Sequence, residues 1–314
     1  MSRILLALGG NAIFRSDQHG TFNEQYGNIN KVSDAIVSLL KNDNQVIITH
    51  GNGPQVGMLL IQQDESKDVS PEQPMDVLGA MSQGQIGYMI QLSLMNALRK
   101  NGMDHKVVTL VNMVEVDSRD PAFENPTKPV GPFYSKKEAR KISLLKGWAI
   151  KKVPSEKGEY YRHVVPSPNP MRNIESGVIE RLVEDKTIVI ASGGGGIPVT
   201  LTKEGYGGVE AVIDKDVAGE LLAENVGADI LMLMTDVEKV MLNYGQDSQK
   251  GLDKITVEEA ERYMAEGHFP PGTMGPKIHA AINFVKNGGS MAIISSTEKI
   301  VDALDGRTGT RVAQ

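Results

Sequence analysis

The sequence predicts an α/β fold, a three-layer α/β/α sandwich built on a mostly parallel central sheet. Three observations predict it: short apolar, β-branched runs recur along the chain, segments with helical spacing separate them, and polar Gly-rich clusters follow several of the runs. Strands that alternate with helices favour a parallel sheet covered on both faces, joined by right-handed crossovers. With 314 residues the chain can bury a large core, either as one domain or as two lobes sharing a cleft.

Taken in chain order, the expected strands are Ile4–Leu8, Val46–Thr49, Val107–Val111, Ile188–Ala191, Ile230–Thr235 and Ala292–Ser295. A helix from Pro74 to about Lys100 carries Ala80, Gly84 and Gly87 at i, i+4 and i+7, a smooth stripe suited to close packing within the subunit. The segment from Asp117 to about Pro170 breaks the rhythm. Pro121, Pro126, Pro129, Pro132 and Pro154 lie in it, and periodic apolar positions are few, so it reads as an insert, either a surface excursion or a lid. Asp214-Lys215-Asp216 opens a helix whose core-facing residues are expected to include Val217, Leu221 and Leu222. Thr256 followed by Glu259 is a capping-box start for a helix running to about Glu266. Ile278, Ala281, Ile282 and Val285 lie at i, i+3, i+4 and i+7, with Pro276 near the start and Gly288 just past the end.

Composition narrows the chemistry. The chain has no cysteine, which removes disulfides, thiolate nucleophiles and Cys-ligated metal. The formal net charge of −6 is spread over intermixed acids and bases, giving no general attraction to nucleic acid or to an anionic membrane surface. No apolar run approaches the roughly 18 residues of a membrane span, and Ile4–Leu8 is too short for a signal-peptide core, so a cytoplasmic protein is expected. The six histidines are scattered without metal-type spacing.

Familiar phosphate signatures are missing. There is no Gly-Lys dipeptide for a P-loop, and Val56 stands where a dinucleotide fingerprint needs its third Gly. Ile190 likewise replaces the first Gly of a nucleophile elbow at Ser192. What remains is a set of glycine clusters at strand ends: Gly9-Gly10-Asn11, His50-Gly51-Asn52-Gly53-Pro54, Ser192 to Gly196, with Thr235-Asp236 closing the fifth strand. Ligands of parallel sheets bind at the carboxyl ends of strands, so these clusters point to one crevice. Lys277 sits in the first turn of its helix, where a cation opposes the helix dipole unless an anion is bound there. It is either a tolerated surface lysine or a phosphate ligand. The triplet 214–216 is either solvated surface or an oriented ammonium at the crevice mouth. Lysines, glycine loops and the absence of a His–carboxylate pair suit phosphoryl transfer to an acceptor that is already an anion.

Longer segments carry a resemblance. Ala7–Ala12, Thr49 to Gly57 (THGNGPQVG), Gln73 to Gly84, Asp120 to Tyr134 with its NPTKPVGPFY, Val164 to Pro168, Ala191 to Pro198 (ASGGGGIP), Val209 to Gly219 and Gly272 to Lys277 are similar to the carbamate kinases, within the amino-acid kinase fold, over essentially the whole chain. The resemblance implies reversible phosphoryl transfer between ATP and carbamate, giving ADP and carbamoyl phosphate, with Mg2+ carried by the nucleotide phosphates. It implies an acceptor half over 1–200, containing a protruding lid at 117–170, and a nucleotide half over 201–314. Gly9, Gly10, Asn11, Gly51, Asn52 and Gly53 are then expected to cradle carbamate and the phosphoryl group. Lys128 from the lid, Lys215, Lys277 and Asp216 are the expected catalytic residues. Asp214, Lys215, Thr235, Asp236, Val237, Tyr244, Met274 and Lys277 are the expected nucleotide contacts. A homodimer and a place in arginine metabolism are implied too, either making ATP from carbamoyl phosphate or the reverse. The alternatives are a kinase of another small carboxylate such as acetylglutamate, and a non-catalytic nucleotide-binding regulator.

Overall fold

The computed structural model describes every residue except Met1, Ser16, Lys41, 154–157 and Pro271; Pro154 of the insert therefore lies outside the described residues. All six expected strands lie in one eight-stranded sheet. Its order is Lys254–Thr256, Thr310–Ala313, Met291–Ser296, Ile230–Thr235, Arg3–Leu8, Gln45–His50, Ile188–Ile190, Val107–Thr109. Neighbours are parallel except that Thr310–Ala313 runs against Met291–Ser296. The third run is shorter than its composition suggests: pairing stops at Thr109, and Val111 is exposed.

Helices cover both faces, and the alternation of side chains along the strands explains why. Leu5, Ala7, Ile47, Leu231 and Leu233 point to one side, where they pack with α5 (Ser176–Glu184), α6 (Lys215–Asn225), α7 (Val257–Ala265) and α8 (Met274–Lys286). Ile4, Leu6, Leu8, Val46, Ile48 and Met232 point to the other. There α1 (Phe22–Leu40), α3 (Met75–Lys100) and α9 (Ile300–Leu304) meet them. The helix α2 (Gly53–Ser66) starts directly beyond the strand Gln45–His50.

Two helical predictions hold closely. Thr256 and Glu259 form the reciprocal capping box of α7, and α8 buries Ile278, Ala281, Ile282 and Val285. The phase of α6 differs. Val217 and Leu221 are only half-buried, while Ala218, Gly219, Leu222 and Ala223 form its packed face. Small residues carry that contact because α6 lies close to the sheet, so apolar bulk was a misleading guide to its inward side. In α3, Gly87 meets the Thr109 side chain, whereas Gly84 faces open space, so the stripe is a packing contact at one end only.

The insert is more regular than its prolines suggest. It holds a three-stranded antiparallel sheet of Lys128–Tyr134, Tyr160–Val165 and Ile150–Val153, with α4 (Lys136–Lys146) started by a Ser135/Glu138 capping box. This small sheet is anchored on α2. Gly57 sits against the backbone of Gly131, and Lys146 pairs with Asp64 at 2.5 Å.

Candidate active site

The carboxyl ends of the central strands open into a cavity of about 580 Å³. Its lining includes every residue expected from the sequence: Gly9, Gly10, Asn11, Gly51, Asn52 and Gly53 from the first two strand ends; Lys128 from the insert; Asp214, Lys215 and Asp216 from the start of α6; Thr235, Asp236 and Val237 from the fifth strand end; Tyr244; and Met274 and Lys277 from the start of α8.

Close approach of the first two loops depends on small residues. A Cβ on Gly51 would lie 3.1 Å from the Gly10 nitrogen and 3.2 Å from the Lys215 side chain. The floor beneath Asn52 is the turn after Ile188–Ile190. Gly194 there has φ +67°, and a Cβ on it would fall 2.1 Å from the Asn52 amide nitrogen. Ser192 is left-handed without being glycine, at φ +52°. Such a conformation costs of order 1–3 kcal/mol unless its surroundings hold it. They do: its N–H donates to Asn112 Oδ1 at 2.6 Å, its carbonyl accepts from Thr49 Oγ1 at 2.9 Å, and its hydroxyl accepts from Asn173 Nδ2 at 2.7 Å. Gln83, on α3, braces the same turn through Gly193 and Asn112.

Two helices begin at the cavity without a side-chain cap. Asn52 precedes α2 but spends its amide on Ser82 Oγ at 2.8 Å, and Thr273 makes no capping bond at the start of α8. At α8 the Gly275 N–H donates to the Pro270 carbonyl and Pro276 has none, and at α2 Pro54 has none. The remaining first-turn N–H groups are therefore few, and the helix dipole does most to favour an anion.

The charges are arranged around two carboxylates. Asp216 is buried and takes Lys215 Nζ at 2.5 Å on one oxygen and Lys277 Nζ at 2.7 Å on the other. Burial alone would raise its pKa, but the two ammonium groups outweigh that and hold it below the usual carboxylate range. For Lys277 the balance is opposite: burial, then the neighbouring Lys215, lowers it to about 8. Burial also works against the charge on Lys215, yet Asp216 and Asp214 keep its pKa raised. Lys277 is thus not the tolerated surface lysine that its position left open, being buried and oriented by Asp216. Across the cavity Lys128 donates to Asp214 Oδ2 at 2.7 Å. In this cluster three ammonium groups face two carboxylates, while Asp236 and Lys239, the latter paired with Asp253, line the cavity too.

A further wall is apolar, with Met234, Val237, Met241, Phe269 and Met274 beside the exposed Tyr244 at the mouth. Sequence reasoning singled out only part of this wall. Phe269, Met241 and His268 carried no motif signal, whereas Gly194 lay inside the quoted ASGGGGIP segment and its distorted turn was the available clue. His50, under the acceptor loops, is fully buried. Desolvation lowers it to about 4, so its ring is neutral, and its Nδ1–H donates to the Gly51 carbonyl.

Known proteins place this geometry. Residues 2–296 match the amino acid kinase family. The chain is 53% identical to a carbamate kinase of Pyrococcus horikoshii over 312 residues, 99% of this chain and 98% of that one. It is 52% identical to a carbamate kinase of Thermococcus kodakarensis over 317 residues, all of both chains. Among solved structures, a carbamate kinase from Giardia lamblia bound to AMP-PNP superposes with a TM-score of 0.92 at 40% identity, covering 99% of this chain and 98% of that one. The chain belongs to the amino acid kinase family and, within it, to the carbamate kinases.

Proposed function

We propose that the protein transfers a phosphoryl group reversibly between ATP and carbamate, with the residues of the cavity in the following roles. The observation that carries the reading is the convergence of Lys128, Lys215 and Lys277 on one cavity that also gathers two uncapped helix starts and an apolar wall. The relative bound to AMP-PNP, an ATP analogue, supports a nucleotide as one of the two substrates.

The apolar wall takes the adenine, with Val237, Tyr244 and Met274 against it and Thr235 and Asp236 at the strand end offering polar contacts. Lys215 and Lys277 neutralise the phosphates, and Asp216 fixes both ammonium groups in place. Gly9, Gly10 and Asn11 with Gly51, Asn52 and Gly53 hold carbamate and the phosphoryl group by backbone N–H and amide donors. A carbamate oxygen attacks the terminal phosphorus as the bond from that phosphorus to the ADP oxygen breaks. The nucleophile is already anionic, so no base has to remove a proton, and the buried neutral His50 is not needed as one. The loose transition state spreads negative charge on the transferring oxygens, which is where Lys128 acts from above. The lid over 117–170 keeps water from carbamate, the acceptor half being 1–200 and the nucleotide half 201–314.

Mg2+ is expected on the nucleotide phosphates, where it would neutralise part of their charge; among the described residues no group of three or more His, Asp or Glu side chains is placed to hold a metal ion. No described helix is long and apolar enough to cross a membrane, and a cytoplasmic location in arginine metabolism is part of the proposal. The outer side of α3 exposes Met81, Tyr88 and Met95 at seven-residue spacing, which supports a homodimer formed on that face. ADP release from ATP in ammonium bicarbonate, where carbamate forms spontaneously, tests the function. Activity there and none with acetylglutamate is the expected result; the reverse preference would sink the acceptor assignment.

A further inference from the structure

Asp214 uses its two carboxylate oxygens on two different parts of the molecule. Oδ1 accepts from the backbone N–H of Asp216 at 2.9 Å and caps α6, the helix that starts with Lys215 and Asp216. Oδ2 accepts from Lys128 Nζ at 2.7 Å, 86 residues away in the lid. The pair is only partly exposed, at 34% for the Lys128 side chain and 24% for Asp214. Burial raises the Asp214 carboxyl and Lys128 lowers it, with the net effect downward, so it stays ionised. On its other side the lid is fastened to α2 by Lys146 and Asp64. On the cavity side Pro166 O accepts from Val212 N–H at 3.0 Å, Val130 and Val165 pack near Val212, and the Asp214 bond adds a charged tie beside them.

An ionised carboxylate only accepts hydrogen bonds and repels phosphate oxygens. With both oxygens already engaged, Asp214 is poorly suited to hold a nucleotide's phosphates. An ammonium group, by contrast, has three donors, so Lys128 can keep its bond to Asp214 and still donate to a phosphoryl oxygen. We propose that Asp214 is a positioning residue for Lys128: it braces the lid against the start of α6 and sets the lid ammonium in register with Lys215 and Lys277. The inference rests on the functional reading above and replaces the nucleotide-contact role expected for Asp214.

The test is a double-mutant cycle with Asp214→Asn and Lys128→Met. Asn is as good a helix cap as Asp, so α6 keeps its start while the charge facing Lys128 is lost. Asp214→Ser, which keeps a capping oxygen, guards against a folding artefact. In ATP formation from carbamoyl phosphate and ADP, Asp214→Asn and Asp214→Ser should each lower kcat about tenfold, the scale of one charge-assisted bond. ADP affinity should change less than about twofold. In the Lys128→Met background neither substitution should cost anything further. An equal loss in that background, or weakened ADP binding at unchanged kcat, overturns the proposal. Amide exchange over 128–134 in the ligand-free proteins needs no activity at all. Faster exchange in Asp214→Asn supports the brace, and wild-type exchange overturns it, whereas a wild-type enzyme that makes no ATP refutes the functional reading alone.

Discussion

Removing the carboxylate of Asp216 is the most severe single change the site predicts for stability. The Asp216→Ala variant leaves the ammonium groups of Lys215 and Lys277, whose side chains are 19% and 9% exposed, without the group that both of them bond. Breaking a buried ion pair from one side costs about 3–5 kcal/mol. An independent bound comes from the escape route open to the variant, which is loss of a proton from Lys277, already the more acidic of the two lysines at about 8. Neutralising a lysine with an unfolded pKa of about 10.4 costs about 4–5 kcal/mol at pH 7 and about 2 kcal/mol at pH 9. The two routes are of similar size at neutral pH, and because wild-type Lys277, at about 8, also loses its proton by pH 9, the difference between variant and wild type narrows on the basic side. Urea denaturation of wild type and Asp216→Ala at both pH values should therefore show a deficit of about 3–5 kcal/mol at pH 7 that shrinks by half or more at pH 9. Inorganic phosphate should restore part of the stability at pH 7 by taking the place of the missing anion. A deficit below about 1 kcal/mol at pH 7 would refute the idea that Asp216 is the counter-ion holding this cluster together.

Further expectations concern the lid, the floor of the site and a carboxyl away from it. Lys128→Ala should lower turnover while ADP still binds, read by kcat and by equilibrium titration; wild-type turnover would remove Lys128 from the mechanism. Gly194→Ala places a methyl group on the Asn52 amide at a positive φ, so KM for carbamoyl phosphate should rise about tenfold or more with ADP affinity unchanged; an unaltered KM would show that this turn does not position the acceptor. Glu220 is buried on α6 with one oxygen lacking a partner, and burial, then Glu224, raises it to about 7. Its folded pKa exceeds the unfolded value, so its contribution is complete below about pH 4.3 and is lost as pH rises to about 7. Glu220→Gln should thus be more stable than wild type by up to about 3 kcal/mol at pH 8 and nearly equal to it at pH 4. Denaturation curves showing no pH dependence in that difference would contradict the assignment.

How far the sequence reveals the molecule depends on the kind of signal each part leaves. Five of the six expected strands are central, continuous apolar runs because both of their faces are covered, and such runs are easily seen; the sixth, Val107–Thr109, is a partly buried edge. The edge strand Lys254–Thr256 and its neighbour Thr310–Ala313 are three and four residues long and only partly buried, too short for a period to register. In the insert, prolines concealed a small sheet, although Ser135 and Glu138 already had capping-box spacing. Site residues were legible where the backbone itself does the work, at strand ends followed by glycine or at a helix start holding a lysine. Pairings across the chain left no such mark. Neither the bond from Lys128 to Asp214 nor the shared carboxylate of Lys215 and Lys277 follows from spacing, since each depends on how the lid and two helices meet.

The most direct measurement is ATP formation by the purified protein from carbamoyl phosphate and ADP, followed in a coupled assay with Mg2+ and again with the metal chelated. The account predicts rapid ATP synthesis that needs Mg2+. Folded protein that binds ADP yet forms no ATP from carbamoyl phosphate would contradict it.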